Sequence, residues 1–314
     1  MAPSPIQNTK PCSPFYQYEP LRSSATSIRL LRIANHKIDG KEEGLPIFFL
    51  VHIHCTPEQP PLQPYEAISW AWDAPSHRDT CTLSMNGTNL AISTNMYHIL
   101  QRLIPAEPGA RRLVWIDSIC INQADPVEKA GQIPLMTTIY KNATQVLAFP
   151  SPSSPQSALS VPVAGAFAAK LDQHVRGREL CAALGIQLGN ADSSCGIPSD
   201  PNGRTAFVQL VRNRFWTRAW IIQEMVVARS VSIRSMNDDK SNDIADLDFD
   251  LLGRVAMAFK TIGPKTQSPL LELEGWADAN EARAFRRGID LITRLQDFGR
   301  ATRGAPYTAC PTVC

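Results

Sequence analysis

Leu113-Val114-Trp115-Ile116-Asp117, followed by Asp125-Pro126-Val127-Glu128, is the stretch that decides the fold class. The first segment is apolar at every position until Asp117, so it offers no polar face to water. A strand buried on both faces belongs in the middle of a mostly parallel sheet with helices on each side. The second segment is a helix start. Asp125 is placed to cap it, Pro126 suits the first helical position, and Glu128 is spaced to reach back in a capping box. The helix is expected to bury Ile133, Met136, Tyr140 and Ala143, with a kink or break at Gly131 and Pro134. Val146-Leu147-Ala148-Phe149 is the next strand.

Working outward, residues 27–33 and 47–55 read as strands, and the Pro-rich segment 57–64 interrupts the chain before a short strand at Tyr65–Trp70. Residues 81–92 read as a hairpin, with Asn86-Gly87 supplying the positive-φ positions of a tight turn. Asn95 is placed to cap a helix running to about Ile104, with Met96, Ile99, Leu100 and Leu103 on one face. Downstream come a Ser/Pro linker at about 150–160, a helix at 161–185 and a loop at about 187–203. The dense segment Phe207–Ala228, a strand at 229–235 and amphipathic helices at 245–262 and 278–299 follow. Residues 1–14, rich in Pro and Ser, read as a flexible lead-in. The expected architecture is α/β, a mostly parallel central sheet flanked by helices, with extra N-terminal strands and C-terminal helices.

The 314 residues carry 31 Lys plus Arg against 29 Asp plus Glu, a net charge of +2. So small an excess provides no long-range field for nucleic acid or an anionic membrane, and neither is expected as a partner. The longest apolar runs, 47–51 and 219–222, are far too short to span a bilayer. The N-terminus has no basic stretch followed by an apolar core, so a cytoplasmic location is expected. Eight cysteines without a Cys-x-x-Cys pair suggest reduced structural thiols and no metal centre. Gly-x-Ser-x-Gly, a phosphate-binding Gly-rich loop and His-Glu-x-x-His are all absent, which argues against a serine hydrolase, a P-loop nucleotidase and a zincin.

Three segments carry a family resemblance in order. Tyr65-Glu66-Ala67-Ile68-Ser69-Trp70-Ala71-Trp72 is the first, and Trp115-Ile116-Asp117-Ser118-Ile119-Cys120-Ile121-Asn122-Gln123 is the second. Asp125, Glu128, Gln132, Met136, Ile139, Tyr140 and Ala143 extend the second. The third is Phe215-Trp216-Thr217-Arg218-Ala219-Trp220-Ile221-Ile222-Gln223-Glu224. Together they resemble the fungal heterokaryon-incompatibility (HET) domain over about residues 15–235, leaving 236–314 as a helical extension of unassigned role. Asp73 stands where the family usually has Gly, and Ala148-Phe149-Pro150 where it commonly has Trp-Leu-Gly.

The resemblance implies an effector of non-self recognition and programmed cell death, working through self-association or a separate sensor protein. It also implies a distant likeness to Toll/interleukin-receptor (TIR) domains, hence a TIR- or flavodoxin-like sheet. Some TIR domains cleave NAD, which would make NAD a substrate here, with no cofactor. Trp220 and Glu224 have the Trp-x-x-x-Glu spacing of plant TIR domains, whose Glu is catalytic. If 217–228 is helical, the two lie one turn apart on one face, with Ile221, Ile222, Met225 and Val226 anchoring the other. Glu224 would then bind ribose hydroxyls and offset the charge of an oxocarbenium-like transition state. The candidate substrate-binding residues are Ser69, Trp70, Trp72, Asp117, Asn122 and Gln123, which follow the parallel strands at their carboxyl ends, together with Trp220.

Each candidate also has a plain structural reading. The tryptophans suit packing, Asp117, Asn122 and Gln123 suit loop hydrogen bonding, and Glu224 suits a salt bridge to Arg218. His52 and His54 share a strand face without a third ligand, Cys120 reads as inert, and Arg111-Arg112 and Arg286-Arg287 read as solvated charges. The alternative function is a non-catalytic module that signals death through contacts alone.

Overall fold

The computed structural model describes residues 15–36, 45–72, 80–85, 87–150, 161–183, 200–235, 246–262 and 279–304. The lead-in at 1–14, Asn86, Asp73, linker residues 151–160 and loop residues 187–199 lie outside them.

Strands β1 (Ser27–His36), β2 (Leu45–His54), β3 (Glu66–Trp70), β4 (Thr80–Met85) and β5 (Thr88–Ser93) precede helix α1 (Thr94–Leu103). Strand β6 (Arg111–Trp115) leads into α2 (Asp117–Cys120), α3 (Pro126–Gln132), a 3-10 turn at Ile133–Leu135, and α4 (Met136–Asn142). Strand β7 (Val146–Phe149) is followed by α5 (Val161–Ala183) and α6 (Pro201–Val211). A 3-10 turn (Arg214–Thr217), α7 (Ile221–Met225), β8 (Val231–Ile233), β9 (Leu247–Asp248), α8 (Phe249–Ile262) and α9 (Ala279–Gly304) complete the order.

The strands form a single mixed sheet ordered β5-β4-β2-β1-β6-β3-β7-β8-β9. Strands β6, β3, β7 and β8 are mutually parallel. The pairs β1–β2, β1–β6, β4–β5 and β8–β9 are antiparallel, so the expectation of a mostly parallel sheet is corrected. Apolar patterning reports burial, but strand direction depends on how each connection runs, and β1–β2 returns directly as an antiparallel pair. The apolar runs still lie where two-sided burial demands. Val114 and Trp115 at the end of β6 and all of β7 are buried, and Ile28 to Leu31 of β1 are buried on both faces.

The expected break in the helix that follows Asp125 is present, with Pro134 in the 3-10 turn between α3 and α4. Met136, Tyr140 and Ala143 are buried, whereas Ile133 is 44% exposed, because the turn rotates it off the inward face. Asp125 caps α3 by accepting from the N–H groups of Val127 and Glu128. Glu128 does not close a capping box. Its carboxylate accepts two bonds from Arg29, at 2.6 and 3.0 Å, and one from the Asn122 N–H at 2.7 Å. Helix α1 is capped by Ser93, two residues before the expected Asn95, and buries the four residues assigned to its inner face.

On the other side, α5, α6, α8 and α9 pack around Phe167, Phe207, Phe259 and Phe285, and Trp216 stacks on Phe249 at 5.9 Å. The same apolar cluster runs from β1 through α9, so α8 and α9 share the core of the sheet. Close docking requires small residues. A Cβ on Gly288 of α9 would lie 1.9 Å from the Val211 carbonyl oxygen at the end of α6.

Candidate functional site

The parallel strands occur in space as second, first, third and fourth in chain order, so the order reverses between β3 and β7. Ligands in open α/β sheets collect at the carboxyl ends of strands beside such a reversal. Ser69 is the penultimate residue of β3 there, and Asp117 follows β6 as the first residue of α2.

The third wall is the segment between the 3-10 turn and α7. Asn213 starts the turn by accepting from the Phe215 N–H at 2.9 Å. Phe215 and Trp216 are buried, and the Trp216 indole donates to the Leu210 carbonyl at 2.7 Å. These anchors hold Arg218, in extended backbone, against the strand ends.

Arg218 grips Glu224 with both terminal nitrogens, Nη1 to Oε2 and Nη2 to Oε1, each at 3.0 Å. The Ser69 hydroxyl donates to Glu224 Oε2, and Arg218 Nη1 lies 3.4 Å from Ser69 Oγ. Glu224 is 1% exposed. Burial pushes its carboxyl above the usual range, while Arg218 and Ser69 pull the other way.

Asp117 sits on the open side. Its carboxylate accepts the Trp72 indole N–H at 3.1 and 3.3 Å and the Ser118 N–H at 2.7 Å. Crowding by protein atoms and then the neighbouring Glu224 charge push its carboxyl up to about 6. Trp72, Asp117, Arg214, Thr217, Arg218 and Trp220 line a cleft of about 500 Å³.

Ser69 and Glu224 lie buried behind Arg218 and do not line the cleft, whereas Asp117, Trp72 and Trp220 form its walls. Trp72 is 47% and Trp220 45% exposed. Helix α7 spans only Ile221–Met225, so the helix expected over 217–228 is much shorter. Trp220 and Glu224 are joined by a backbone bond, Glu224 N–H to the Trp220 carbonyl at 3.2 Å, but one side chain faces solvent and the other the core. Ile221, Met225 and Val226 anchor the segment, whereas Ile222 is exposed.

Trp70 is buried and stacks on Trp72 at 6.0 Å. Asn122 and Gln123 serve the loop before α3. Asn122 Oδ1 accepts from the Ala124 N–H at 3.2 Å, and the Gln123 side chain donates to the Asp117 carbonyl at 2.9 Å. Arg218 is a cleft residue that the sequence suggested only as a salt-bridge partner. Its place between an aromatic anchor and a short helix was the available signal.

Elsewhere, His52 and His54 are exposed, and no group of three metal-ligating side chains occurs among the described residues. Burial pushes the Cys120 thiol up to about 12 and Cys55 to about 11, which keeps both protonated and unreactive. No described helix is long and apolar enough to cross a membrane.

A mixed α/β sheet with a polar, tryptophan-walled cleft at its parallel strand ends defines the class of protein. Residues 65–224, half of the chain, match the family described as Heterokaryon incompatibility protein (HET), and the chain belongs to that family. No curated protein and no solved structure gave a significant match.

Proposed function

We propose that this protein is a heterokaryon-incompatibility effector that cleaves NAD in the Trp72–Asp117–Trp220 cleft. The observation that carries the reading is Asp117, a carboxylate on the cleft wall between an exposed indole and a buried ion pair. The reading is supported by the four parallel strands, whose order shares its reversal with the first four positions of flavodoxin-like sheets, where ligands bind.

NAD carries a cationic nicotinamide ring. Trp72 and Trp220 offer indole faces to such a ring, an attraction of about 0.5–2 kcal/mol. Breaking the bond between ribose C1′ and the ring nitrogen sends the electron pair to nicotinamide and leaves an oxocarbenium-like sugar. The ionised Asp117 stabilises that charge more than the ground state. Water then bonds to C1′ and gives its proton to Asp117, whose raised pKa suits it as a base near neutral pH.

Glu224, the carboxylate singled out by spacing, acts from behind in this account. It holds Arg218 and Ser69 in place at the strand ends, and its charge adds to burial in raising the Asp117 carboxyl. The test is nicotinamide release from NAD by purified protein, free and clustered through a fused oligomeriser. Loss of release in Asp117→Asn supports the account.

A second reading rests on Trp72, Trp220 and Ile222, large apolar side chains exposed near one another in sequence or at the cleft. They would suit a contact surface in a non-catalytic signalling module. Self-association lost in Ile222→Asp, from a protein that releases no nicotinamide, would favour it.

A further inference from the structure

Beside the cleft lies a second one, of about 400 Å³, between the end of α6 and the outer face of α9. Arg212, Arg214, Arg283 and Arg287 line it, and among the described residues no carboxylate does. Arg214 and Thr217 line both clefts, so the two adjoin. We propose that this second cleft binds a diphosphate group.

Arginines 69 to 75 residues apart in the chain meet here for an identifiable reason. Gly288 lets α9 touch the backbone at Val211, which sets Arg287 and Arg283 opposite Arg212 and Arg214. Trp216 forms an apolar floor, pinned by its bond to Leu210. Among the described residues neither Arg214 nor Arg287 has a carboxylate partner, and both are exposed. The like charges of Arg214 and Arg287 on this cleft repel, and an anion with several oxygens relieves that cost. Planar guanidinium forks match phosphate oxygens bidentately, and a diphosphate presents enough oxygens for forks from both sides. The Arg286-Arg287 pair, which reads as solvated charge in the sequence, is thereby split. Arg287 faces the cleft, and Arg286 is absent from its walls.

The diphosphate has two sources, a free polyphosphate or the linker of the dinucleotide. In the second case the adenosine half lies over the arginines and the nicotinamide half over Trp72 and Asp117. That case rests on the function proposed above, whereas diphosphate binding itself does not.

Inorganic pyrophosphate is titrated into the full chain by calorimetry, and ADP-ribose in a second series, at low and moderate salt. Saturable pyrophosphate binding is expected, weakened at least about tenfold by Arg287→Gln and again by Arg214→Gln, and weakened by salt. Both arginines are exposed, so circular dichroism of the variants should match the parent. If ADP-ribose loses affinity in parallel in Arg287→Gln, the dinucleotide is the source. If only pyrophosphate does, a free polyphosphate is. No saturable pyrophosphate binding, or binding indifferent to both substitutions, overturns the proposal, whether or not NAD is cleaved.

Discussion

Arg218 and Glu224 form a two-pronged ion pair, both contacts at 3.0 Å, with the glutamate buried and the arginine at the cleft. Removing the arginine strands a buried charge, so Arg218→Met should cost about 3–5 kcal/mol. Glu224→Gln leaves a neutral amide in the Ser69 site and an arginine able to turn to solvent, and should cost less. Urea denaturation of the two variants checks the order, and equal costs would contradict it.

Asp117 should make stability and activity depend on pH in opposite senses. Its folded value of about 6 lies above the ordinary 3.8, so folding favours the proton-bound form. The resulting stabilisation is complete below the ordinary value and is lost as pH rises through about 6. Glu224, also raised, acts in the same sense. Melting temperature should therefore fall less steeply over this range in Asp117→Asn than in the parent. Nicotinamide release should rise through the same range as the carboxylate ionises.

Arg29, fully buried in β1, ties Glu128 of α3 to the carbonyls of Cys120 and Glu19. Glu128→Ala should cost about 3–5 kcal/mol, because it leaves the guanidinium charged and unpaired in the core. Arg29→Leu combined with Glu128→Leu should cost clearly less than Glu128→Ala. Chemical denaturation of the single and double variants measures the difference.

Gly288→Ala tests how closely α9 docks. The added methyl meets a backbone carbonyl, which cannot swing aside as a side chain could. A loss of about 1–3 kcal/mol is expected. Pyrophosphate affinity should fall in the same variant, because Arg287 and Arg283 move with the helix.

The legible parts of the sequence were those in which one residue type has one structural use. The run at 113–116, the Asp125 cap and the Pro134 break each reappear in place. Strand direction was not legible, because β1 and β2 carry the same apolar patterning whether they run parallel or antiparallel. Arg29 was missed although a lone charge between Ile28 and Leu30 in an apolar strand is a signal for a buried partner. At the site, residue types were readable while their facing was not. Glu224 turns inward to Arg218 and Asp117 outward to the cleft, a difference set by the short α7 and the extended Arg218.

The most direct measurement is nicotinamide release from NAD by the clustered 314-residue chain, parent beside Asp117→Asn, with folding verified for both. The account predicts release by the parent and a loss of about a hundredfold or more in the variant, the usual weight of a positioned acid–base group. No release from folded, clustered parent, or release unchanged in Asp117→Asn, would contradict it.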